Sequence, residues 1–324
     1  SSMFSTFSKK LQFESKNTFI KNSELTFFDF KEKYLKISNG LRKYKLQNKS
    51  LVLVDIQNPE VFIAVVFAIL NRGMIPCLWN SYFSKEQEDM IFEKNYYAAY
   101  VSDQKVFPNI LEVNLRDILA EPQADLNHVT PQSELVFFTS GTIFPKACLL
   151  TLENLFYNAQ GSLEKIPFHS EDSWGLCLPH FHAGGFSIFI RALLSEASVN
   201  FINLETSSDV THLSLVTTQL QRIFERNIMF PNLKHCLIGG SAISEKLIEQ
   251  TYQKYPLHLS YGMTEMGSQV ATTDILTAPK MPYHILKYRR LEIIDECVAV
   301  CGECLFQGYL ENQTPVHTFQ NQLF

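Results

Sequence analysis

The sequence has no excess of positive charge and no apolar run long enough to cross a membrane. Its 28 Lys and Arg residues stand against 33 Asp and Glu residues, for a net charge of -5, which argues against a nucleic-acid-binding surface. The longest apolar run, Val61–Leu70, is too short for a bilayer and follows Asn58-Pro59, a typical helix start. We therefore expect no nucleic acid partner, no membrane span, and a buried helix at this position.

The sequence also lacks linkers rich in Pro, Gly or Ser, internal repeats, and a signal peptide after Met3. These absences favour one large domain in the cytoplasm. Seven cysteines, an odd number within mostly apolar segments, indicate reduced and buried thiols. Cys297, Cys301 and Cys304 have a spacing that also occurs in iron–sulfur enzymes, but their segment has the pattern of two strands and a turn. Packing is the preferred interpretation.

What the sequence does contain is an apolar run that ends in small hydroxyl residues and a lysine, the segment Phe137–Lys146, FFTSGTIFPK. Leu135–Phe138 has the character of a buried strand. The residues after it, Thr139–Thr142, offer main-chain N–H groups and three hydroxyls, and Lys146 adds a positive charge. This is not a Walker loop, but it predicts a phosphate-binding loop after a strand.

A second segment, Leu237–Gln269, has the pattern of strand, glycine turn, helix, strand and polar turn. Gly239 and Gly240 lack a Cβ, so a flat ring can lie against the main chain, and Ser244 followed by Glu245 predicts a helix start. The segment therefore has the order of elements expected of an α/β nucleotide site.

Two further groups of polar residues complete the pattern. Tyr261 can stack on a ring, while Thr264 and Glu265 place a hydroxyl and a carboxylate together for phosphate and magnesium. The segment Leu178–Arg191, LPHFHAGGFSIFIR, places His180 and His182 before a Gly-Gly pair and an apolar helix.

Together these segments resemble the AMP-forming acyl-CoA synthetases of the acyl-adenylating superfamily, whose motifs run TSGTTGxPKG, LPLFHxxG, GGAPL and YGMTE. Over Ser162–Gln269 the amino-acid sequence is most similar to the o-succinylbenzoate–CoA ligase branch of the family, which acts in menaquinone biosynthesis. The resemblance covers most of residues 50–310. It implies an α/β large domain of stacked sheets covered by helices, with subdomains at roughly 1–130, 131–284 and 285–324, the last a small β-barrel-like end.

The resemblance also implies roles for individual residues. The predicted catalytic residues are Lys146, His182, Thr264 and Glu265, with Glu265 also binding magnesium. The predicted nucleotide-binding residues are Thr139, Ser140, Gly141, Thr142, Gly239, Gly240, Ser241, Ala242, Tyr261 and Gly262. The predicted acid-binding residues are Gly184, Gly185, Arg191 and Ser268. For Arg191, a snorkelling or ion-paired arginine at a helix end and a contact to the second carboxylate of a dicarboxylic acid are both open.

The implied activity is that of an acid–thiol ligase. ATP and Mg²⁺ adenylate a carboxylic acid such as o-succinylbenzoate, and the thiol of coenzyme A then displaces AMP. Positioned hydroxyls, N–H groups and a lysine suffice, so no protein nucleophile is needed. A ligase for another aryl or acyl acid and a non-catalytic nucleotide-binding relative are the alternatives, and a homo-oligomer is compatible with all three.

Two departures from the family pattern bear on activity. Only Ile143 and Phe144 lie between Thr142 and Pro145, so the predicted phosphate loop is one residue shorter than TSGTTGxPK and lacks its second glycine. The sequence stops at Phe324, before the small mobile C-terminal domain that carries an essential lysine in the family. We therefore expect nucleotide and acid to bind, adenylation to be slow, and thioester formation to be absent.

Overall fold

The computed structural model describes residues 2–139 and 143–316, which divide into two compact units. Of the described residues, the first unit contains those up to Lys16, Thr26–Asn154 and 306–316. The second contains Asn17–Leu25 and Leu155–Leu305. Among the described residues, no helix is both long and apolar enough to cross a membrane. The subdomain boundaries expected near residues 130 and 284 stay predictions.

The first unit is built on an eight-stranded sheet with the strand order β19-β18-β8-β7-β4-β3-β5-β6. Its elements are α1 (Ser2–Lys10), α2 (Phe27–Leu41), β3 (Leu51–Asp55), α3 (Pro59–Asn71), β4 (Ile75–Leu78), α4 (Lys85–Lys94), β5 (Ala99–Ser102), β6 (Leu111–Glu112), α5 (Leu115–Leu119), β7 (Glu134–Phe138), β8 (Ala147–Thr151), β18 (Gly308–Glu311) and β19 (Thr314–Val316). Strands β3 to β7 pair in parallel, and β8, β18 and β19 extend the sheet antiparallel.

The apolar run of the sequence forms the buried helix α3. The Asn58 side chain accepts hydrogen bonds from the main-chain N–H groups of Glu60 and Val61, and Pro59 occupies the first turn, where its missing N–H costs nothing. Every residue from Phe62 to Asn71 is buried, and the helix packs against β3 and β4. The predicted buried helix is confirmed.

The second unit is built on a nine-stranded sheet with the order β15-β14-β13-β12-β11-β9-β10-β1-β2. Its elements are β1 (Thr18–Ile20), β2 (Leu25–Thr26), β9 (Ser173–Leu176), α7 (Ala183–Ser195), β10 (Ser198–Phe201), β11 (His212–Leu215), α8 (Thr217–Glu225), β12 (His235–Ile238), α9 (Glu245–Thr251), β13 (Leu257–Met263), β14 (Ser268–Thr273), β15 (Tyr283–Ile285), β16 (Arg290–Ile294) and β17 (Cys297–Cys301). Helix α6 (Leu152–Lys165) begins in the first unit and continues in the second.

Strands β9 to β13 are parallel, so all of them begin at one edge of the sheet and end at the other. We name these the amino edge and the carboxyl edge. Strands β14 and β15 then pair antiparallel beside β13. Loops at a carboxyl edge are the usual ligand-binding segments of such sheets.

The α/β fold class is confirmed, but the strands after residue 283 differ from the sequence-based expectation. Strand β15 belongs to the nine-stranded sheet, β16 and β17 form a separate hairpin, and β18 and β19 belong to the eight-stranded sheet. This part of the chain is therefore a hairpin and two sheet edges rather than a small β-barrel-like end. The residue pattern predicts the strands themselves. It does not predict which strands pair, because pairing depends on residues far away in the chain.

Three histidines at the amino edge form a row across neighbouring strands. The ring centroids of His212 and His235 lie 5.0 Å apart, and those of His235 and His258 lie 5.1 Å apart. The Trp174 ring continues the row, 4.9 Å from His212. His235 Nδ1 lies 2.9 Å from His258 Nε2, and His258 Nδ1 lies 2.8 Å from the carbonyl oxygen of Thr273. Because a carbonyl only accepts, both Nδ1 atoms carry the proton when the rings are neutral.

Candidate functional site

The predicted phosphate loop of the first unit joins two antiparallel strands, β7 and β8. Two hydrogen bonds close its base: Thr139 N donates to Lys146 O at 3.0 Å, and Lys146 N donates to the Thr139 hydroxyl at 2.9 Å. The predicted residues Ser140, Gly141 and Thr142 lie outside the described part of the chain. The base of the loop thus follows directly from a buried strand, as the sequence indicates.

Next to that gap the loop is exposed. Ile143 and Phe144 are 73% and 64% exposed. The Lys146 side chain is also exposed, and its ammonium lies 4.8 Å from the centroid of the Tyr309 ring in β18. A cation–π contact at an exposed position is weak, so the ammonium can leave the ring for a phosphate at small cost.

In the second unit, the carboxyl edge gathers all the remaining sequence-predicted segments except Arg191. The LPHFH segment follows β9, the glycine turn follows β12, and the YGMTE segment is the end of β13 and the turn after it. Strands β12 and β13 are neighbours, with Ile238 opposite Leu259. Gln219 Nε2 donates to Cys177 O at 2.8 Å and thereby ties the start of α8 to the chain after β9. Segments far apart in sequence thus meet at one edge.

His182 is the residue immediately before α7, and its side chain makes no capping hydrogen bond to that helix. Burial, with a smaller contribution from His180, lowers the pKa of His182 to about 4. The imidazole is therefore neutral at physiological pH and can donate or accept a hydrogen bond without carrying charge.

The two glycines after His182 have different surroundings. A Cβ on Gly185 would lie closer than 3.0 Å to the carbonyl oxygen of Pro179, so this position requires glycine for packing. A Cβ on Gly184 would meet only Leu178 at an ordinary distance of 3.8 Å. Phe186 is fully buried. Of the predicted acid-binding glycines, Gly184 therefore has open space beside it, whereas Gly185 serves the fold.

The glycine turn after β12 leaves space beside its first residue. A Cβ on Gly239 would meet nothing closer than 3.7 Å, the carbonyl oxygen of Ser260. Gly240 has φ +92°, a conformation that favours glycine. Ser241 and Ala242 are exposed, and the Ser244 hydroxyl accepts from Leu247 N at the start of α9, which confirms the predicted helix start. The turn leaves open space beside Gly239, which suits a flat ring, whereas the Val216 side chain lies close to Gly240.

The YGMTE segment ends β13 with an irregular step and then turns. Tyr261 is 44% exposed, and the strand pairing shifts between Tyr261 and Gly262. A Cβ on Gly262 would lie closer than 3.0 Å to Ser268 O, so this glycine is required by the neighbouring strand. Thr264–Met266 forms a single turn of 3-10 helix. Thr264 and Glu265, both half-buried, are therefore displayed on a short turn and not within a strand.

Arg191 is neither a snorkelling nor an ion-paired arginine in the structure. Its side chain is 1% exposed, its guanidinium lies 4.6 Å from the Trp174 ring, and Nη2 donates to Gln269 Oε1 at 2.9 Å. Nε and Nη1 have no hydrogen-bond partner, and no described carboxylate pairs with the group. Burial, followed by repulsion from Arg289, lowers the pKa of Arg191 to about 9. Two buried donors thus remain available.

Asn158 and Gln269 are not among the site residues predicted from the sequence. In the structure both are buried. Asn158 bonds to the turn after YGMTE, while Gln269 Oε1 accepts from Arg191 and from the Ser162 hydroxyl. The sequence contains a signal for these buried contacts, because Asn158 and Ser162 fall on the same face of α6 as Leu155 and Ala159. Polar residues within an apolar stripe need buried partners.

The magnesium prediction rests on one carboxylate. Within residues 2–139 and 143–316, no group of three or more His, Cys, Asp or Glu side chains is arranged to hold a metal ion. A half-exposed Glu265 on a turn fits an ion that keeps its waters and is held mainly by nucleotide phosphates. The residues present fit Mg²⁺ carried by ATP, and they do not form a cage for a free ion.

A family model described as AMP-binding enzyme matches residues 9–296 of the chain. The 2-succinylbenzoate–CoA ligase of Bacillus cytotoxicus is 28% identical over 272 residues, which are 78% of this chain and 56% of that protein. The chain thus spans little more than half the length of this curated relative.

Two solved structures share the fold. The o-succinylbenzoate coenzyme A synthetase (MenE) of Bacillus subtilis in complex with AMP has a TM-score of 0.85 at 19% identity, over 98% of this chain and 74% of that one. Wild-type Escherichia coli MenE with a bound m-phenylether-linked analogue of OSB-AMS has a TM-score of 0.84 at 23% identity, over 98% and 73%. At these identities the likeness establishes the fold alone. Because the family model covers most of the sequence, the chain belongs to the AMP-binding enzyme family.

Proposed function

We propose that the chain is the nucleotide- and acid-binding part of an AMP-forming acid–CoA ligase, with o-succinylbenzoate as its acid. The observation that carries this proposal is the carboxyl edge of the second unit. There an open glycine turn, an exposed Tyr261 and the Thr264–Glu265 turn end neighbouring strands. The similarity to 2-succinylbenzoate–CoA ligases supports the choice of acid.

In the proposed reaction, an oxygen of the substrate carboxylate attacks the α-phosphorus of ATP, and the bond to the pyrophosphate oxygen breaks. Charge grows on phosphate oxygens, so the useful groups are positioned donors and cations. Thr264 offers a hydroxyl to the α-phosphate. The family resemblance implies that Thr139 and Lys146 of the first unit, which carry a hydroxyl and an ammonium, bind the leaving pyrophosphate. Glu265 would hold Mg²⁺, which neutralises phosphate charge when bound.

The nucleoside part would lie on the glycine turn after β12. The open space beside Gly239 admits a flat ring, and the exposed Tyr261 supplies an aromatic face to stack on it. Gly240, Ser241 and Ala242 add exposed main-chain groups that can bond to the ring edge. This arrangement recognises shape and hydrogen-bonding pattern more than charge.

We assign His182 the role of a neutral hydrogen-bond donor toward the acid or the α-phosphate. With its pKa lowered to about 4 by burial, it carries no charge that a carboxylate substrate would neutralise. A neutral imidazole orients the carboxylate without making it a weaker nucleophile, which a full ion pair would do.

The second carboxylate of an aromatic dicarboxylic acid would bind Arg191. The guanidinium is fixed by Trp174 and Gln269, and its Nε and Nη1 atoms lack partners. Both atoms can donate hydrogen bonds to carboxylate oxygens. Ser268 and Gly184, near the ends of β14 and α7, would line the path of the acid chain.

Isothermal titration calorimetry on the 324-residue chain tests the proposal directly. We expect ATP to bind in a magnesium-dependent manner, and o-succinylbenzoate to bind more tightly than benzoate when a non-hydrolysable ATP analogue is present. Pyrophosphate release with a panel of acids then names the acid class. Selective binding of a different acid would replace o-succinylbenzoate. Nucleotide binding with no response to any acid would favour a non-catalytic relative.

Coenzyme A as the acceptor thiol belongs to the same proposal, as does a location in the cytoplasm, where ATP and coenzyme A are available. Thioester formation in the presence of coenzyme A is the measurement for the acceptor. Size-exclusion chromatography with light scattering measures whether the chain is a monomer or a homo-oligomer.

A further inference from the structure

Asn158 lies in the middle of α6 and is 1% exposed, yet its side chain does not bond within its own helix. Nδ2 donates to the carbonyl oxygens of Met266 and Gln269, both at 2.9 Å. Both N–H groups of one amide are thereby used on one turn. Because both partners are carbonyls, the nitrogen must face them, and Oδ1 on the other side has no hydrogen-bond partner.

The two carbonyls that Asn158 binds lie on either side of the point where the chain reverses. Thr264–Met266 is 3-10 helix, Gly267 has φ +84°, and Gly267 N donates to Thr264 O at 3.0 Å. Strand β14 begins immediately afterwards. One side chain thus spans the turn from its last 3-10 residue to the second residue of the next strand, and satisfies carbonyls that lie away from solvent.

Helix α6 is itself held at this residue. Nη1 and Nη2 of Arg289 donate to the main-chain oxygen of Asn158, each at 3.2 Å, and Nη1 also lies 3.0 Å from Cys304 Sγ. Met266 and Cys304 are fully buried in one apolar cluster with Val300. Asn158 is therefore tied through both its main chain and its side chain, which fixes the amide that faces the turn.

We propose that Asn158 is a positioning residue for Thr264 and Glu265: it sets the shape in which this turn meets a magnesium-bound nucleotide. The functional half of this inference rests on the proposed function. The structural half, that the amide of Asn158 holds the turn in its conformation, does not.

Hydrogen–deuterium exchange on the ligand-free chain tests the structural half. In Asn158→Ala, we expect peptides that cover residues 264–269 to exchange roughly tenfold faster or more, since two hydrogen bonds to the turn are lost. In Asn158→Asp, which has nearly the same volume, the carboxylate cannot donate to either carbonyl, so the same change is expected without a cavity.

Asn71→Ala is the matched control. Asn71 is a buried asparagine of the first unit that donates to Ser38 Oγ and Leu126 O, both at 2.9 Å. Its loss removes a comparable set of hydrogen bonds elsewhere, so exchange in residues 264–269 should stay as in the wild type. Unchanged exchange of that turn in both Asn158 variants would overturn the inference.

Calorimetry with ATP tests the functional half. We expect Asn158→Asp to reduce the magnesium-dependent part of the ATP affinity about tenfold, and to leave the affinity measured with EDTA unchanged, since the proposed function assigns Thr264 and Glu265 to the α-phosphate and the metal. A looser turn with full magnesium-dependent affinity would refute the positioning role. If the wild type binds no ATP, the proposed function fails, and the exchange data alone decide whether Asn158 holds the turn.

Discussion

The two edges of the nine-stranded sheet differ in what their side chains do. At the carboxyl edge, glycines and short turns leave main chain and polar side chains open, as at Gly239 and Tyr261. At the amino edge, polar groups bind one another: His258 and His212 donate to carbonyl oxygens, and Lys234 pairs with the buried Asp172 at 2.7 Å.

The contrast between the two edges separates residues that serve function from residues that serve stability. A polar group whose partners all lie within the protein contributes to the stability of the fold. A buried donor without a partner, next to residues that are predicted to bind the acid, is a candidate for a ligand contact. Arg191 is such a candidate although it is buried, whereas Gly185 serves packing although it lies in a predicted ligand motif.

The largest effect is expected where a carboxyl-edge residue serves the fold. Gly185→Ala places a Cβ against Pro179 O, so we expect a loss of about 2 kcal/mol in the free energy of unfolding. Gly184→Ala is the matched control, and because its space is open, helix propensity should stabilise the protein by up to about 1 kcal/mol. Urea denaturation measures both. Equal stability of the two variants would contradict the distinction between these glycines.

The amino edge predicts a pH dependence of stability. Burial lowers the pKa of His212 and of His235 to about 4, and also lowers that of His258, below their values in the unfolded chain. As the pH falls from 6.5 toward 4, these histidines bind protons in the unfolded state but stay neutral in the folded state. Their contribution to the free energy of unfolding is therefore fully present above pH 6.5 and is lost on acidification.

The measurement is urea denaturation at pH 7 and pH 4.5 for the wild type and His212→Gln, whose amide can still donate to Pro167 O. We expect the wild type to lose about 2 kcal/mol more than the variant over this interval. The charged groups that act on the row, Asp172, Lys234, Asp274 and Lys165, are present in both proteins. Parallel pH profiles of the two proteins would show that the pKa of His212 is not lowered in the folded state.

Arg191 joins the two edges, because it bonds to Gln269 and stacks on the Trp174 ring that continues the histidine row. Arg191→Met keeps the length of the side chain and removes the charge. We expect binding of o-succinylbenzoate to weaken about 10- to 100-fold, with benzoate unaffected, since only the first acid has a second carboxylate.

Stability should change little in Arg191→Met, because an apolar side chain in that position avoids the cost of burying a charge. Arg289→Met, at the other buried arginine of the unit, is the matched control and should leave the ratio of the two acid affinities unchanged. Calorimetry measures the ratio. An equal loss for both acids would assign Arg191 to the fold and place it with the amino edge.

The smallest effect is expected at Glu265. Glu265→Gln keeps the size of the side chain but removes its charge, so the magnesium-dependent part of the ATP affinity should fall about tenfold. Glu245→Gln, an exposed residue at the start of α9 that pairs with Lys280 at 3.3 Å, is the control. Titrations with and without EDTA separate the metal-dependent part. An identical response of both variants would remove Glu265 from the proposed metal site.

Much of the carboxyl edge could be predicted because its motifs act locally. The N-terminal cap at Ser244 and the turns at Gly240 and Thr264 follow from main-chain requirements that a few consecutive residues fulfil. The amino edge could not be predicted in this way. His235 and His258 meet across 23 residues, and Asn158 meets Met266 across 108, so only the sheet and helix packing bring them together.

The roles of some site residues stay predictions because they depend on groups that a ligand supplies. The roles of Thr139 and Lys146 depend on phosphates that approach a loop whose centre, Ser140–Thr142, lies outside the described residues. The role of Arg191 depends on which acid accepts hydrogen bonds from its unpartnered Nε and Nη1 atoms. In both cases the protein supplies donors, and the partner that completes the hydrogen bonds comes from outside.

The two tryptophans of the sequence fall one in each unit. Trp79 is buried among phenylalanines of the first unit, and Trp174 is buried between Arg191 and His212 in the second. Emission from Trp79→Phe therefore reports the second unit alone, and emission from Trp174→Phe reports the first. Because a protonated imidazole quenches a neighbouring indole, the Trp174 signal also provides an optical titration of His212, without any label attached to the protein.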